Sequence, residues 1–243
     1  MAPYRFYNSP TVKVTAGAGD AAKLFYVHEE VLAAHSEYFQ RLLRSQWPEG
    51  KAKDCSRAST RPAVFDLFVQ WLYNGKYSVT AALPAAEGGA EHEYYRMHAE
   101  AYVLGNEIIA PVFKRYVVAT LCAVLAEYRA DFSMAWLLDV AAIVYEGTSD
   151  RDGREMRALL AHYTSSRIGQ VPWPGSAGKM VEKKKHFTRE DAEELARSGQ
   201  VEFIRDVFML VFAGPQIAAA DILGKLYPER RSGGGAGGGG GII

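Results

Sequence analysis

Cysteine is scarce: Cys55 and Cys122 are the only two in 243 residues. They form neither a C-x-x-C pair nor a dense disulfide framework, which predicts a reducing compartment and two free thiols packed as small core hydrophobes. Long apolar runs are missing too. No segment approaches the roughly 18 to 20 uninterrupted apolar residues of a membrane-spanning helix, and Met1-Ala2-Pro3-Tyr4-Arg5-Phe6 has no apolar stretch of the signal-peptide kind. Neither sign of charge prevails. Lys plus Arg and Asp plus Glu both number 28, so no whole-molecule field draws the chain to nucleic acid or an acidic membrane. These absences predict a soluble protein, cytoplasmic, nuclear or both, with no direct nucleic-acid or membrane contact. What is abundant is apolar side chain, 49% of residues, enough for a proper core.

Catalytic constellations are also lacking. There is no G-x-S-x-G elbow. Gly175-Ser176-Ala177-Gly178-Lys179-Met180 imitates the end of a phosphate-binding loop, but Trp173 stands where its first glycine belongs, and Met180 replaces the hydroxyl that reaches magnesium. Ala16-Gly17-Ala18-Gly19-Asp20 precedes a strand, whereas a phosphate cradle needs a helix there. His92 and His98 lie six apart, a poor metal pair beside i, i+4 ligands, and the pairs Glu29-Glu30 and Glu193-Glu194 diverge by about 100° on a helix. The sequence predicts no enzyme, no metal and no cofactor.

What is present is a sharp succession of elements. Val12-Lys13-Val14 and Leu24-Phe25-Tyr26-Val27 flank the Gly17/Gly19 turn and read as a hairpin. From Glu29 the pattern turns helical, and Ser36 is placed to cap a second helix carrying Tyr38, Phe39, Leu42 and Leu43. Pro62, after cap candidates Ser59 and Thr60, opens a core-facing helix with Phe65, Phe68, Val69 and Leu72. Ala81 to Gly89 reads as a surface loop before a helix beginning near Glu91. Another helix follows Pro111, with apolar residues from Phe113 to Tyr128.

Further helices are predicted after a cap in Asp131-Phe132-Ser133, with Trp136, Leu137, Val140, Ile143 and Val144, and over Arg154 to Tyr163. Val171-Pro172-Trp173-Pro174-Gly175 is a non-helical linker. Thr188-Arg189-Glu190-Asp191 resembles a capping box and Gly199 a stop. Val201 to Ala213 is apolar enough to predict a buried helix, and Ile217 to Tyr227 another. The glycine run from Gly233 onward has no side chains to offset ordering entropy and predicts disorder.

The order Phe25, Val27, His28, Leu32, Ser36, Tyr38, Phe39 resembles the signature of the BTB/POZ domain. Leu72, Tyr73 and Gly75, within Phe68 to Tyr77, resemble that family's third helix and its exit, and Ala99 to Asn106 resembles the helix after it. The likeness is nearest to stand-alone fungal members. Residues from Val144 to Thr148, with Met156-Arg157, look similar to their helical extension. The resemblance implies an α+β fold, a small sheet with clustered helices, over residues 8–128. An all-α extension like the BACK domain over 129–228 and a disordered tail over 229–243 would follow.

The resemblance also implies function. It points to a protein-interaction adaptor, either a substrate receptor of a cullin-based ubiquitin ligase or a nuclear scaffold for transcription factors. Trp47-Pro48-Glu49 is similar to the hydrophobic-x-Glu motif by which some members grip a cullin, with the reading that Trp47 packs on its own domain as the alternative. His28 is expected to be a structural hydrogen-bonding group. Lys183-Lys184-Lys185-His186 is either an import signal or a solvated linker. Thr11 replaces the aspartate many members have before the first strand, and Glu29 their basic residue, which removes the charged pocket used for corepressors. Only ten residues precede the first strand, short of the exchanged amino-terminal segment of the zinc-finger class. A homodimer or hetero-oligomer, where formed, is expected to use the exposed faces of the helices over 29–43.

Overall fold

A computed structural model describes residues 9–44, 48–79, 90–127, 134–167 and 189–213. Trp47, Tyr128, the cap at 131–133, the linker at 171–175, the lysines 183–185, Thr188 and the expected helix over 217–227 fall outside these, as does the glycine-rich tail.

Strand β1 (Thr11–Ala16) runs antiparallel to β2 (Lys23–His28) and parallel to β3 (Asp54–Arg57), giving the order β2-β1-β3. The hairpin turn uses Gly17 and Gly19 at φ 83° and 58°, the positive values that glycine adopts without a Cβ penalty. Alternation sorts the faces. Val12, Val14, Ala16, Phe25, Val27 and Cys55 point into the core, while Leu24 and Tyr26 face out at 51% and 63% exposure. A parallel neighbour requires a crossover. It is supplied by α1 (Glu29–His35), α2 (Glu37–Arg44) and α3 (Pro48–Ala52).

Helix α4 (Pro62–Asn74) starts at proline, whose missing N–H costs nothing in a first turn. Its N-cap is Arg61, without a side-chain cap bond, and not the expected Ser59 or Thr60. The Arg61 carbonyl accepts from the amides of Val64 and Phe65, while the Thr60 amide closes a turn onto the Arg57 carbonyl. Thr60 and Ser59 thus lie one and two residues ahead of the cap position. Gly75 ends α4 at φ 68°, donating its amide to the Trp71 carbonyl at 2.8 Å, the left-handed stop that favours glycine.

Helices α5 (Ala90–Glu107) and α6 (Pro111–Glu127) pack as a hairpin and meet α4 through Phe68, Trp71, Tyr77, Phe113 and Tyr116. Beyond them lie α7 (Met134–Gly147), α8 (Arg154–Arg167), α9 (Arg189–Arg197) and α10 (Val201–Ala213). One continuous apolar core runs from Val12 in β1 to Val207 in α10. The fold is α+β, a three-stranded sheet against helices followed by a helical extension.

Helix α10 departs from the buried helix expected. Phe203 and Val207 are buried, but Val201, Phe208 and Met209 are 74%, 46% and 62% exposed. Residues four apart share one helical face, and α10 turns that face to α8 and α7. Apolar residues all round the helix therefore exceed what one packed side covers.

Candidate interaction surface

The end of β2 is tied to the end of α4 by one hydroxyl. Tyr73 Oη accepts the His28 amide at 3.0 Å and lies 2.7 Å from His28 Nδ1. With the amide proton received, the arrangement that uses every group has Tyr73 donating to Nδ1 and His28 carrying its proton on Nε2. His28 thus serves as a structural hydrogen-bonding group, joining two segments 45 residues apart.

Ser36 performs two tasks. Its Oγ accepts the Phe39 amide at 3.2 Å, the N-cap contact at N3, and donates to the buried Ile108 carbonyl at 2.6 Å. The amides of Glu37 and Tyr38 also donate to Ile109 and Ile108 carbonyls, so the first two donors of α2 are satisfied by the α5–α6 turn. That turn holds Ile109 at φ 51°. Phe39 and Leu32 are fully buried, and Tyr38 lies over Phe39 edge-on. Glu29 pairs with Lys53 at 2.6 Å, and Lys13 with Asp54 at 2.8 Å. Glu29 is therefore engaged within the chain. Of the α1–α2 helices, Glu30, Ala34, Glu37, Arg41 and Arg44 remain exposed.

Of the tripeptide Trp47-Pro48-Glu49, Pro48 and Glu49 open α3. Leu72 is half-buried, and Gly75 is the cap described above.

Sequence reasoning missed the junction between the sheet-bearing half and the later helices. His92 stacks on Trp136 at 5.7 Å and 10°, with Nε2 at 2.9 Å from Asp139. Arg61 pairs with Glu93 and Glu100, and Arg96 with Glu100 and Asp139. Beside this network a cleft of about 220 Å³ opens between Thr60, Arg61, Glu100, Glu107 and Ile143. Further along, Arg157 is buried and donates to Asp150, Glu202 and the Tyr145 and Thr148 carbonyls, its guanidinium over the Tyr145 ring. Apart from Arg96 and Glu100, four apart on α5, these pairings join residues seven or more positions apart, so helical spacing does not reveal them. His98 is fully buried, its Nδ1 2.7 Å from Tyr77 Oη. Burial drives its pKa down to about 3, because a charged imidazole loses its hydration there. Among the described residues no group of three or more His, Cys, Asp or Glu is arranged to hold a metal ion.

A small mixed sheet closed by helix hairpins, with polar groups spent on joining segments, defines a compact α+β module. The family model of the BTB/POZ domain matches residues 8–100, and the chain carries that domain, a module of protein–protein interaction and oligomerisation. Human BTB/POZ domain-containing protein 17 is 30% identical over 145 residues, which take in 54% of this chain and 28% of that protein. The chain thus spans little more than a quarter of that relative's length, and the likeness runs past residue 100 into the helices beyond.

Proposed function

We propose that the protein is an adaptor that brings other polypeptides together through its BTB/POZ domain, as a substrate receptor for a cullin-based ubiquitin ligase. The domain match over residues 8–100 carries this reading. Trp47-Pro48-Glu49 supports the ligase version, since an aromatic beside a carboxylate is the composition of an interface anchor. Trp47→Ala and Glu49→Ala are expected to abolish capture of a cullin amino-terminal domain in a pull-down while leaving the melting temperature nearly intact. Capture that survives both substitutions, or a wild-type chain that captures no cullin, removes the ligase version and leaves the adaptor.

The second reading is a nuclear scaffold assembling on transcription factors, favoured by Lys183-Lys184-Lys185. Replacing the three lysines with alanine is expected to move a tagged chain from nucleus to cytoplasm. Unchanged localisation counts against that role for the cluster. In either version self-association is assigned to the exposed faces of α1 and α2.

A further inference from the structure

The cleft beside the Arg61 network joins an apolar floor to hydrogen-bond acceptors that no described residue uses. Val64, Val103, Leu104 and Ile143 line it from α4, α5 and α7. Thr60 lines it too and is only 7% exposed. Its amide closes the turn onto Arg57, but its hydroxyl makes no hydrogen bond among the described residues. A side chain so far withdrawn from water is ordinarily satisfied. Glu100 spends Oε1 on both Arg61 and Arg96, and its buried Oε2 has no partner among the described residues. Glu107 gives Oε2 to Arg57, and its Oε1 accepts from no described residue. Three acceptors therefore stand open around one cleft.

We propose that the cleft binds one aliphatic primary ammonium group, carried by a lysine side chain of a partner polypeptide or by a free alkylamine. An ammonium has three donors and no acceptor, which matches Thr60 Oγ1, Glu100 Oε2 and Glu107 Oε1 in number. Charge selects the same sign. Two of the charged groups lining the cleft are carboxylates, and the single cation among them, Arg61, is already shared between Glu93 and Glu100, so an anion is repelled. A guanidinium fits less well, because its planar fork seeks both oxygens of one carboxylate, and each carboxylate here offers one. The apolar floor takes the methylene stem, as long amphipathic side chains bury their stems and keep the head on polar partners. A volume of about 220 Å³ equals about seven waters at roughly 30 Å³ each, which admits a stem of lysine length. The cleft is separate from Trp47-Pro48-Glu49, and the inference goes beyond the ligase reading.

Titration of the isotopically labelled full chain with n-pentylamine and with Nα-acetyl-lysine N-methylamide tests this by NMR. Both are expected to shift the amides of Thr60, Glu107 and Ile143 saturably, in the millimolar range that suits a single side chain. Tighter binding of the lysine amide assigns the site to a lysine within a polypeptide, and equal or tighter binding of pentylamine assigns it to free amines. Pentanoate and the Nε-acetylated lysine amide, which lack the ammonium, are expected to leave these amides unmoved. Thr60→Val and Glu107→Gln are each expected to weaken binding about tenfold, the loss of one hydrogen bond to a charged group, whereas Glu37→Gln on α2 has no effect. Should Thr60→Val fail to fold, Glu107→Gln, at a side chain 41% exposed, gives the same answer. Trp47→Ala is expected to leave amine binding untouched, so failure of cullin capture and failure of this site are read separately. Shifts that do not saturate, equal shifts with pentanoate, or affinity indifferent to the cleft variants overturn the proposal.

Discussion

Removing the Ser36 hydroxyl separates a local contact from a long-range one. Ser36→Ala deletes the N-cap of α2, which costs about 1 kcal/mol, and the bond to the Ile108 carbonyl, about 1 kcal/mol more. The carbonyl keeps the Tyr38 amide at 3.3 Å, so the full penalty of an unpaired buried acceptor is avoided. The sum is about 2 kcal/mol, or a fall in Tm of roughly 4 to 8 °C for a domain of this size. Ser36→Gly divides the sum, because glycine at an N-cap costs only a few tenths yet still loses the Ile108 bond. Urea unfolding is expected to place Ser36→Gly about midway between wild type and Ser36→Ala. If Ser36→Gly matches the wild type, the Ile108 bond contributes nothing and Ser36 is an ordinary cap.

Three other outcomes are expected. A Cβ on Gly147 lies 2.7 Å from both Val103 methyl carbons, so Gly147→Ala is expected to cost about 1 to 3 kcal/mol by overpacking α5 against α7. Adding Val103→Ala should restore part of it in a double-mutant cycle. Phe39→Ala empties a fully buried site and is expected to cost about 3 to 5 kcal/mol in chemical denaturation; a nearly silent change refutes its place in the core. His98 stays neutral in the fold down to about 3 against an ordinary 6.5, so between those values the unfolded chain holds the extra proton. Stability then falls as pH drops from 6.5 toward 3, by up to about 1.4 kcal/mol per pH unit for that proton. Burial of His162, whose pKa falls to about 4, adds in the same direction. His98→Gln is expected to flatten the slope of unfolding free energy against pH, and an unchanged slope argues that His98 is protonated in the fold.

Much of the domain was legible because its determinants are local. The alternation Phe25-Tyr26-Val27, the cap at Ser36, Pro62 at a first turn and Gly75 at a last one are each dictated by side-chain period or backbone sterics within a few residues. Local reasoning erred where two local answers competed, as with Ser59 and Thr60 beside Arg61. It erred again where burial depended on neighbours, as with Val201, Phe208 and Met209 on α10.

By itself the sequence determined the strands β1 and β2 and most of the helices, though not α3 or β3, the inward places of Phe65 and Phe68 on α4, and the likeness of residues 8–100 to a known domain, since these are encoded in spacing along one chain. Only the tertiary structure decided that Ser36 reaches Ile108, that Tyr73 closes His28, and that Glu29 finds Lys53. Those contacts join residues far apart in the chain. Their partners are chosen by packing and hydrogen-bond direction in space, which no local periodicity records.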